Sequence, residues 1–282
     1  MKWMSFAQAG RPGFGLVVDQ SVLEAPAELA PQWPSLWHVL SGGQATQVAE
    51  AILNNPRVWK LHEVAMDLPL PNAPRIFCIG RNYKGHVAEV GSALPQHPSL
   101  FLRGVESLVP SGQALCRPKA STHFDFEGEL ALVMGEGGRH IPRQQALSKV
   151  FGYTVFNDGS VRDVQFQHSL TAGKNFYQSG SMGPWVVSAA DIPDQTQLWL
   201  TTTLNGEQVQ HSQTDDLIFD IPAIIEYISG ITPLQAGDII ATGTPDGVGM
   251  ARKPPLWLRP GDVIEVQISQ IGTLSNGVCD GE

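Results

Sequence analysis

Hydrophobic and polar residues alternate most regularly over residues 124–135, and this alternation predicts a β-strand. Successive side chains of a strand point to opposite faces, so Glu127 and Glu129 are expected to share one face. Phe126 and Leu130 fall on the other face, where we expect them to join the core. Like charges on one face repel, so sheet packing alone gives no reason for the two glutamates. They indicate either an exposed, charged sheet face or a site for a divalent cation, which prefers carboxylate oxygens.

Residues 1–70 differ from the rest of the chain and are predicted to form a small N-terminal α+β module. Short apolar runs predict three strands, over residues 1–6, 15–19 and 21–23. Apolar residues at helical spacing predict a helix over residues 45–54. The proline-rich stretch 69–74 is typical of a stiff connection between two units. We therefore divide the chain into this module and a catalytic domain over residues 71–282.

The catalytic domain is predicted to be mixed β with few helices. Strands are expected over residues 75–80, 100–103, 151–158, 185–187 and 198–204, and after the Gly-Asp pairs at 237–238 and 261–262. Asn205-Gly206 lies between two strand patterns and is a dipeptide typical of a two-residue hairpin turn. Helices are expected over residues 143–150 and 218–229, with helical turns at 161–165.

The composition is that of a globular protein. Of the 282 residues, 42% are hydrophobic and 16% are charged, which excludes a disordered or fibrous chain. The net charge is −9 and the chain has no basic run, so we expect no nucleic-acid partner. No apolar run is long enough to cross a bilayer, so we expect no membrane association.

The cysteines and the N-terminal sequence favour a reducing compartment. Cys78, Cys116 and Cys279 are widely spaced, which argues against both a disulfide framework and a zinc site. Residues 1–6 lack the sustained apolar segment of a signal peptide. We therefore predict a cytoplasmic location.

Asp158 is the best candidate for a third oxygen ligand beside Glu127 and Glu129. It ends an apolar strand pattern, where an unpaired buried carboxylate would be costly. The two glutamates need at least one further oxygen ligand to hold a divalent ion well. The alternative is coincidence, because three acidic residues scattered over a β domain are common.

A second group of residues has the chemistry of proton transfer. His86 and Glu89 lie three residues apart, which places them side by side on a helix. A carboxylate beside an imidazole fixes its tautomer and raises its basicity, as a general base requires. The alternative is a pair of exposed residues on a surface helix. Lys174 lies between a glycine and an aromatic segment. It is either a buried cation or a solvated lysine in a loop.

Further polar residues are candidates for binding the oxygen atoms of a substrate. Side chains suited to carboxylate or carbonyl oxygens are Arg81, Tyr83, Arg162 and Gln165. Thr244 lies in the glycine-rich stretch 242–249, which lacks the Gly-Lys-Ser/Thr ending of a phosphate-binding loop. This stretch would present backbone N–H groups and a hydroxyl to an anion, or form an ordinary tight turn.

Taken in order along the chain, these stretches resemble the fumarylacetoacetate hydrolase superfamily, in particular its acylpyruvate hydrolase branch with fumarylpyruvate and maleylpyruvate hydrolases. The resemblance runs from about Arg75 to the C-terminus and is loose over the N-terminal module. The segments that carry it are 79–89, 126–130, 157–163, 183–185, 205–207, 237–249 and 271–276. The sequence departs from the pattern of many members at Arg103, Gly159 and Asn175.

The resemblance implies a fold, a metal ion and roles for particular residues. The catalytic domain would be a twisted mixed-β roll in a homodimer. Each subunit would hold one Mg²⁺ or Mn²⁺ ion through the metal ligands Glu127, Glu129 and Asp158. The same resemblance makes His86 and Glu89 the water-activating pair, Lys174 the active-site lysine and Thr244 the residue that binds a carboxylate, with Arg162 and Gln165 near the metal.

The implied function is hydrolysis of a carbon–carbon bond in a small 1,3-diketo acid such as an acylpyruvate. The metal would stabilise the departing pyruvate enolate, while water activated by His86 and Glu89 attacks the distal carbonyl. One alternative is a decarboxylase or isomerase of an oxaloacetate-type keto acid on the same metal site, which needs no attacking water. An alternative of another class is a non-catalytic protein that binds an oxo acid.

Overall fold

The computed structural model describes residues 1–281 and consists mainly of β-strands. The N-terminal part contains five strands and two helices, namely β1 (Lys2–Gln8), β2 (Arg11–Val18), β3 (Ser21–Glu24), α1 (Leu36–Ser41), α2 (Ala45–Asn54), β4 (Arg57–Lys60) and β5 (Ala65–Met66). Helix α2 has the bounds that the sequence predicted. Helix α1 was not predicted, because six residues contain too few helical turns to show a repeat.

The middle of the chain supplies the elements around the predicted site. They are β6 (Ile76–Gly80), α3 (Lys84–Glu89), β7 (Ser99–Arg103), β8 (Leu108–Val109), β9 (Leu115–Arg117), β10 (Phe124–Asp125), β11 (Gly128–Met134), α4 (Arg143–Ala146), β12 (Val150–Asn157), β13 (Ser160–Val161), α5 (Arg162–Gln167), α6 (Leu170–Lys174) and β14 (Gly180–Ser188). Helix α5 confirms the helical turns predicted at 161–165. Helix α6 was not predicted.

The C-terminal part contains the predicted hairpin and the longest helix of the described chain. Its elements are β15 (Trp199–Leu204), β16 (Glu207–Gln213), α7 (Ile221–Ile231), β17 (Ile239–Ala241), β18 (Val263–Ile268) and β19 (Gly272–Asp280). Asn205 and Gly206 both adopt positive φ, at 53° and 82°, as the hairpin turn requires. Helix α7 begins after Asp220, whose Oδ1 accepts a hydrogen bond from the Ala223 N–H at 2.9 Å. Over residues 1–281, no helix has the length and apolar character needed to span a bilayer.

Two sheets form the body of the fold. The larger sheet has the order β4-β3-β2-β1-β14-β12-β11-β17-β6-β7, and the smaller has the order β16-β15-β18-β19-β9. Strand β1 pairs antiparallel with β14, with Lys2 opposite Val187. The N-terminal strands β1 to β4 therefore continue the sheet that β14, β12, β11, β17, β6 and β7 form. The division at residue 70 stays a prediction about chain organisation. The mixed-β fold class with few helices is confirmed.

Strand β11 lies between two hydrophobic cores and shows the alternation on which the strand prediction rested. Leu130 and Leu132 pack with α7 and the smaller sheet, whereas Ala131 and Val133 pack with α1 and α2. Both faces of β11 are therefore buried. Glu129 is two residues from Ala131 and therefore points to the same face of β11. Because this face is buried, the Glu129 carboxylate lies in the interior and not on an exposed sheet face.

The single strand predicted over residues 124–135 is wrong in its first part. Strand β10 ends at Asp125 and pairs with β13 in a separate two-stranded sheet. At the break, the Glu127 N–H donates to the side-chain Oδ1 of Asn157 at 3.1 Å. The Glu127 carbonyl accepts from the Asp158 N–H at 2.8 Å. Because β10 pairs with β13, the chain joins the larger sheet only at Gly128, and Glu127 lies directly before the start of β11.

Candidate metal centre and active site

Three carboxylates meet where β11 begins and β12 ends. The antiparallel register pairs Gly128 with Asn157, so the residues next to this pair approach each other from two strands. Glu127, Glu129 and Asp158 each offer one carboxylate oxygen, and these oxygens lie within 4.8 Å of one another. All three residues are buried. The structure therefore brings together the three acidic residues that the sequence analysis selected as metal ligands.

Gly128 separates the two glutamates because no side chain fits at this position. A Cβ atom there would lie 2.3 Å from Thr202 Oγ1 and 3.0 Å from Val266 Cγ1. Both neighbours belong to the smaller sheet, which packs closely against β11 at this point. The Glu-Gly-Glu sequence thus combines two candidate metal ligands with one point of close contact between the sheets.

The two glutamates differ in their electrostatic environment. Burial opposes the charge of Glu127, but the positive charges of Lys174 and Arg162 outweigh this effect and lower its pKa to about 2. At Glu129, burial and the negative charges of Asp158 and Glu127 act together and raise the pKa. Glu127 is therefore held as a carboxylate, whereas Glu129 has a strong tendency to retain a proton.

Lys174 is a buried cation, one of the two interpretations that its sequence left open. It ends α6, which begins after Ser169, and the Ser169 Oγ accepts a hydrogen bond from the Ala172 N–H at 3.1 Å. The Lys174 Nζ donates to Glu127 Oε2 at 2.5 Å and to Asp158 Oδ2 at 2.7 Å. The ammonium thus connects two of the three carboxylates and reduces their mutual repulsion.

The donor set fits a divalent metal ion. All three candidate ligands are hard oxygen donors, which suit Mg²⁺ and Mn²⁺. The buried cluster contains four carboxyl groups and three cations. The carboxyl groups are those of Asp125, Glu127, Glu129 and Asp158, and the cations are Arg103, Arg162 and Lys174. A cluster with an excess of carboxylates favours an additional positive charge. These residues can therefore hold a metal ion.

Metal binding is expected to weaken as the pH falls. A ligating Glu129 must be ionised, but its pKa is raised, so at lower pH the metal competes with a proton. Calorimetric titration with Mn²⁺ in buffers of different ionisation enthalpy should show release of up to about one proton per ion. Glu129→Gln should remove this proton release and weaken binding. Mn²⁺ affinity independent of pH in the unmodified protein would contradict the assignment of Glu129.

His86 and Glu89 form the predicted pair on α3. The His86 Nδ1 lies 2.9 Å from Glu89 Oε1. The second oxygen, Glu89 Oε2, accepts from the Gly247 N–H at 3.0 Å. The glycine-rich stretch 242–249 thus fixes Glu89, which in turn orients the imidazole. Gly85 allows this approach, because a Cβ there would lie 2.4 Å from Asp246 Oδ1.

A cavity of about 380 Å³ lies between His86 and the carboxylates of Glu127 and Glu129. Its polar wall includes Arg81, His86, Glu127, Glu129, Arg162, Gln165, Lys174 and Thr244. Its apolar wall includes Ile79, Val90, Phe101, Phe166, Leu170 and Met250. Asp158 lies behind Lys174 and Glu127, to which it is connected through the lysine ammonium. A space of this size suits a small organic acid.

Four of the five predicted substrate-binding residues reach this cavity. Arg81 does so from a positive φ of 55°, an uncommon conformation for a residue other than glycine. The Arg162 Nη2 lies 2.7 Å from Glu127 Oε1, and its Nη1 donates to Gln165 Oε1 at 3.1 Å. Thr244 Oγ1 donates to the Gly128 carbonyl at 2.9 Å. Tyr83 is fully buried and is not among the described residues that line the cavity.

Arg103 belongs to the site, although the sequence analysis noted it only as a departure from the family pattern. Its buried guanidinium donates through Nη1 to Asp158 Oδ1 at 2.5 Å and to the Gly159 carbonyl at 3.0 Å. Its Nη2 donates to Ser179 Oγ at 3.1 Å. Gly180 leaves room for it, since a Cβ there would lie 2.6 Å from Arg103 Nη2. Arg103 therefore holds one oxygen of Asp158 and leaves Oδ2 directed to the centre.

Arg103→Lys is expected to weaken Mn²⁺ binding by roughly 10-fold to 100-fold, the usual effect of losing a group that orients a metal ligand. Lysine retains the charge but cannot form the forked contacts of a guanidinium. Arg143→Lys is a suitable control, because Arg143 is 45% exposed in its ion pair with Asp220. Isothermal titration of both variants measures the effect, and equal affinities would exclude this role for Arg103.

The features described above are those of a known family of enzymes. The model of the fumarylacetoacetate (FAA) hydrolase C-terminal domain matches residues 75–279. The chain belongs to the fumarylacetoacetate hydrolase family, and the predicted family and fold are confirmed.

The similar proteins include tautomerases and hydrolases. An oxaloacetate tautomerase of Bacillus subtilis, YisK, is 40% identical over 226 residues, covering 78% of this chain and 75% of that protein. A 2,4-didehydro-3-deoxy-L-rhamnonate hydrolase of Sphingomonas is 32% identical over 99% of this chain and 96% of that protein. The crystal structure of maleylpyruvate hydrolase from Sphingobium, in complex with manganese(II) and pyruvate, superposes with a TM-score of 0.82 at 27% identity, covering 100% of both chains. The chain is therefore similar to tautomerases and to hydrolases within one enzyme family.

Proposed function

We propose that this protein is a divalent-metal-dependent tautomerase that interconverts the enol and keto forms of oxaloacetate or a close dicarboxylic analogue. The observation that carries the proposal is that His86, oriented by Glu89, lines the same cavity as Glu127 and Glu129. A positioned base beside a metal centre is what enolisation of a 2-oxo acid requires. The similarity to an oxaloacetate tautomerase at 40% identity supports this choice of substrate.

The reaction moves one proton and consumes no water. From the enol, the O–H bond at C2 breaks and a C–H bond forms at C3; the reverse direction exchanges the same two bonds. A bound Mg²⁺ or Mn²⁺ would supply Lewis acidity that stabilises negative charge on the C2 oxygen. The remaining requirements are a group that holds the proton and groups that orient the substrate.

His86 is the proton carrier in this proposal. Because Nδ1 faces the Glu89 carboxylate at 2.9 Å, the neutral ring carries its proton there and presents Nε2 as the base. Glu89 also stabilises the imidazolium that exists while the proton is in transit. The Gly247 contact to Glu89 keeps the pair in place.

The cations of the cavity suit a substrate with two carboxylates. Arg81, Arg162 and Lys174 line its wall, although Arg162 and Lys174 also contact Glu127. Thr244 is the proposed hydroxyl contact for one carboxylate, to which its O–H would donate in place of the Gly128 carbonyl. Arginine and lysine beside a confined acid fix its orientation through charge-assisted hydrogen bonds. An uncharged keto compound of the same length would lose these contacts.

The assay follows the decay of enol oxaloacetate by ultraviolet absorbance, with Mg²⁺ or Mn²⁺ and with chelator. The expected result is metal-dependent acceleration of ketonisation without release of pyruvate or CO₂. Release of CO₂ would identify the decarboxylase alternative. Metal-dependent binding of oxalate without acceleration of any keto acid would identify a non-catalytic binding protein.

The second candidate is hydrolysis of an acylpyruvate at the same centre. It is favoured by a space of about 660 Å³ beside the cavity, which shares Phe166 and Met250 with it and extends to Trp257. This space would accept an acyl group larger than the terminal carboxylate that oxaloacetate has at the same position. His86 would then take a proton from water, the carbon–carbon bond would break, and pyruvate and a carboxylic acid would form. A panel of acylpyruvates assayed for pyruvate release separates this candidate from the tautomerase.

A further inference from the structure

Two cysteines that lie 163 residues apart in the sequence are neighbours in the fold. Cys116 in β9 is the register partner of Cys279 in β19, and the two strands run parallel. Their Sγ atoms are 3.6 Å apart. Both residues are partly exposed, whereas Cys78 is fully buried in β6. The wide spacing of the cysteines along the sequence gave no indication of this pair.

We propose that Cys116 and Cys279 form a thiol-oxidation site that closes an intramolecular disulfide on reaction with a low-molecular-weight disulfide such as oxidised glutathione. One cysteine thiolate attacks a sulfur of the oxidant, whose S–S bond breaks and releases one thiol. The second cysteine thiolate attacks the resulting mixed disulfide, forms the Cys116–Cys279 bond and releases a second thiol. The two cysteines lose two electrons and two protons, and the small disulfide gains them.

The backbone geometry permits this bond. Neighbouring strands lie about 4.7–4.9 Å apart, and disulfides span Cα separations of about 4.4–6.8 Å. Cys116 and Cys279 are directly paired in β9 and β19, so the usual strand spacing places them inside this range. The sulfurs need only small side-chain rotations from their separation of 3.6 Å to reach bonding distance.

The site adjoins the segment that leads from α6 to β14. The Cys116 N–H donates to the Gln178 carbonyl at 2.8 Å, and Cys116 Sγ donates to Gln178 Oε1 at 3.3 Å. Ser179, the next residue, accepts a hydrogen bond from Arg103. A disulfide would remove the thiol donor from Gln178 and tie β9 to the last described strand. Oxidation is thus placed beside the residues that support Asp158, outside the cavity.

The test is oxidation of the folded protein with mixtures of reduced and oxidised glutathione. Free thiols are then trapped by alkylation under denaturing conditions, followed by intact-mass measurement and peptide mapping. The number of alkylated thiols should fall from the three of the reduced chain to one, at Cys78, with a Cys116–Cys279 peptide and full reversal by dithiothreitol. Burial raises the pKa of the Cys78 thiol, which makes this residue an internal unreactive control.

Single variants complete the test. Cys279→Ser should lose the intramolecular bond and instead accumulate a glutathione adduct on Cys116, and Cys116→Ser should do the converse. Three alkylated thiols after oxidation of the unmodified protein would overturn the proposal. So would disulfides between molecules, or an intramolecular disulfide that persists in Cys279→Ser.

Discussion

Glu127→Gln is expected to abolish specific divalent-metal binding and to reduce metal-dependent turnover by about 10³-fold or more. A catalytic cation supplies several kcal/mol of transition-state stabilisation, and each factor of ten in rate corresponds to about 1.4 kcal/mol. Glu127 is the carboxylate most firmly held in its ionised form, with a pKa of about 2. Glutamine retains a carbonyl oxygen for Lys174 and Arg162 but removes the charge that a hard cation needs.

Glu136→Gln is the matched control for this variant. Glu136 is 69% exposed and pairs with Lys149 at the surface, away from the cavity. Mn²⁺ titration, turnover and thermal unfolding are measured on both variants, so that loss of function is separated from loss of folding. Full metal-dependent turnover in a folded Glu127→Gln protein would remove Glu127 from the metal centre.

His86→Gln is expected to lower turnover by about 10²-fold to 10⁴-fold, the usual contribution of a general base. Metal affinity should be retained, because His86 lies outside the cluster of Glu127, Glu129 and Asp158. Glutamine preserves length and polarity but cannot accept a proton in the relevant pH range. The expected result is thus loss of catalysis with unchanged Mn²⁺ binding. A purely structural defect would lower both.

His211→Gln provides the control for His86→Gln. His211 is an exposed residue that stacks on Trp199, with ring centroids 4.8 Å apart, and it does not line the cavity. Enol decay and acylpyruvate cleavage are measured on both variants with saturating Mn²⁺. Undiminished turnover in His86→Gln would place the base elsewhere. A large loss of Mn²⁺ affinity would show that His86 supports the metal centre instead.

The periodicity of the sequence predicted the fold class because side chains alternate regularly between the two faces of the strands near the site. The odd and even residues of β11 face different cores, as alternation requires. Helix α2 shows its apolar face over ten residues and was predicted with its bounds. The break before Gly128 was not predicted, because it depends on β10 pairing with β13, a contact between segments about 35 residues apart. Pairing of this kind leaves no local periodic signal.

The candidate metal ligands could be selected from the sequence because the energetic cost of burying their carboxylates is visible there. A buried strand with two carboxylates on one face, and a second ending in Asp158, conflicts with simple packing. The same reasoning did not identify Arg103, whose role depends on Ser179 and on Gly180, the first residue of β14. Tyr83 fits a substrate contact by residue type alone, yet its neighbours bury it completely. Residue type indicates a possible contact, and only the packing determines where the side chain points.

The choice between tautomerase and hydrolase is not encoded in the metal ligands. Both reactions use a base and a centre that stabilises negative charge on an oxo acid, so Glu127, Glu129, Asp158 and His86 serve either. The difference lies in whether a water molecule reaches the distal carbonyl and in how much acyl group the adjoining space accepts. Both depend on how the side chains around Phe166 of α5 and Met250 pack.

The central claim is that the acidic residues at the start of β11 and the end of β12 bind a catalytic divalent ion. Its most direct test is anomalous scattering from crystals of the protein grown with Mn²⁺ and oxalate. The account predicts one strong peak per chain, roughly 2 Å from carboxylate oxygens of Glu127, Glu129 and Asp158, with oxalate bound toward His86. A peak at another site, or no peak at these carboxylates under saturating Mn²⁺, would contradict it.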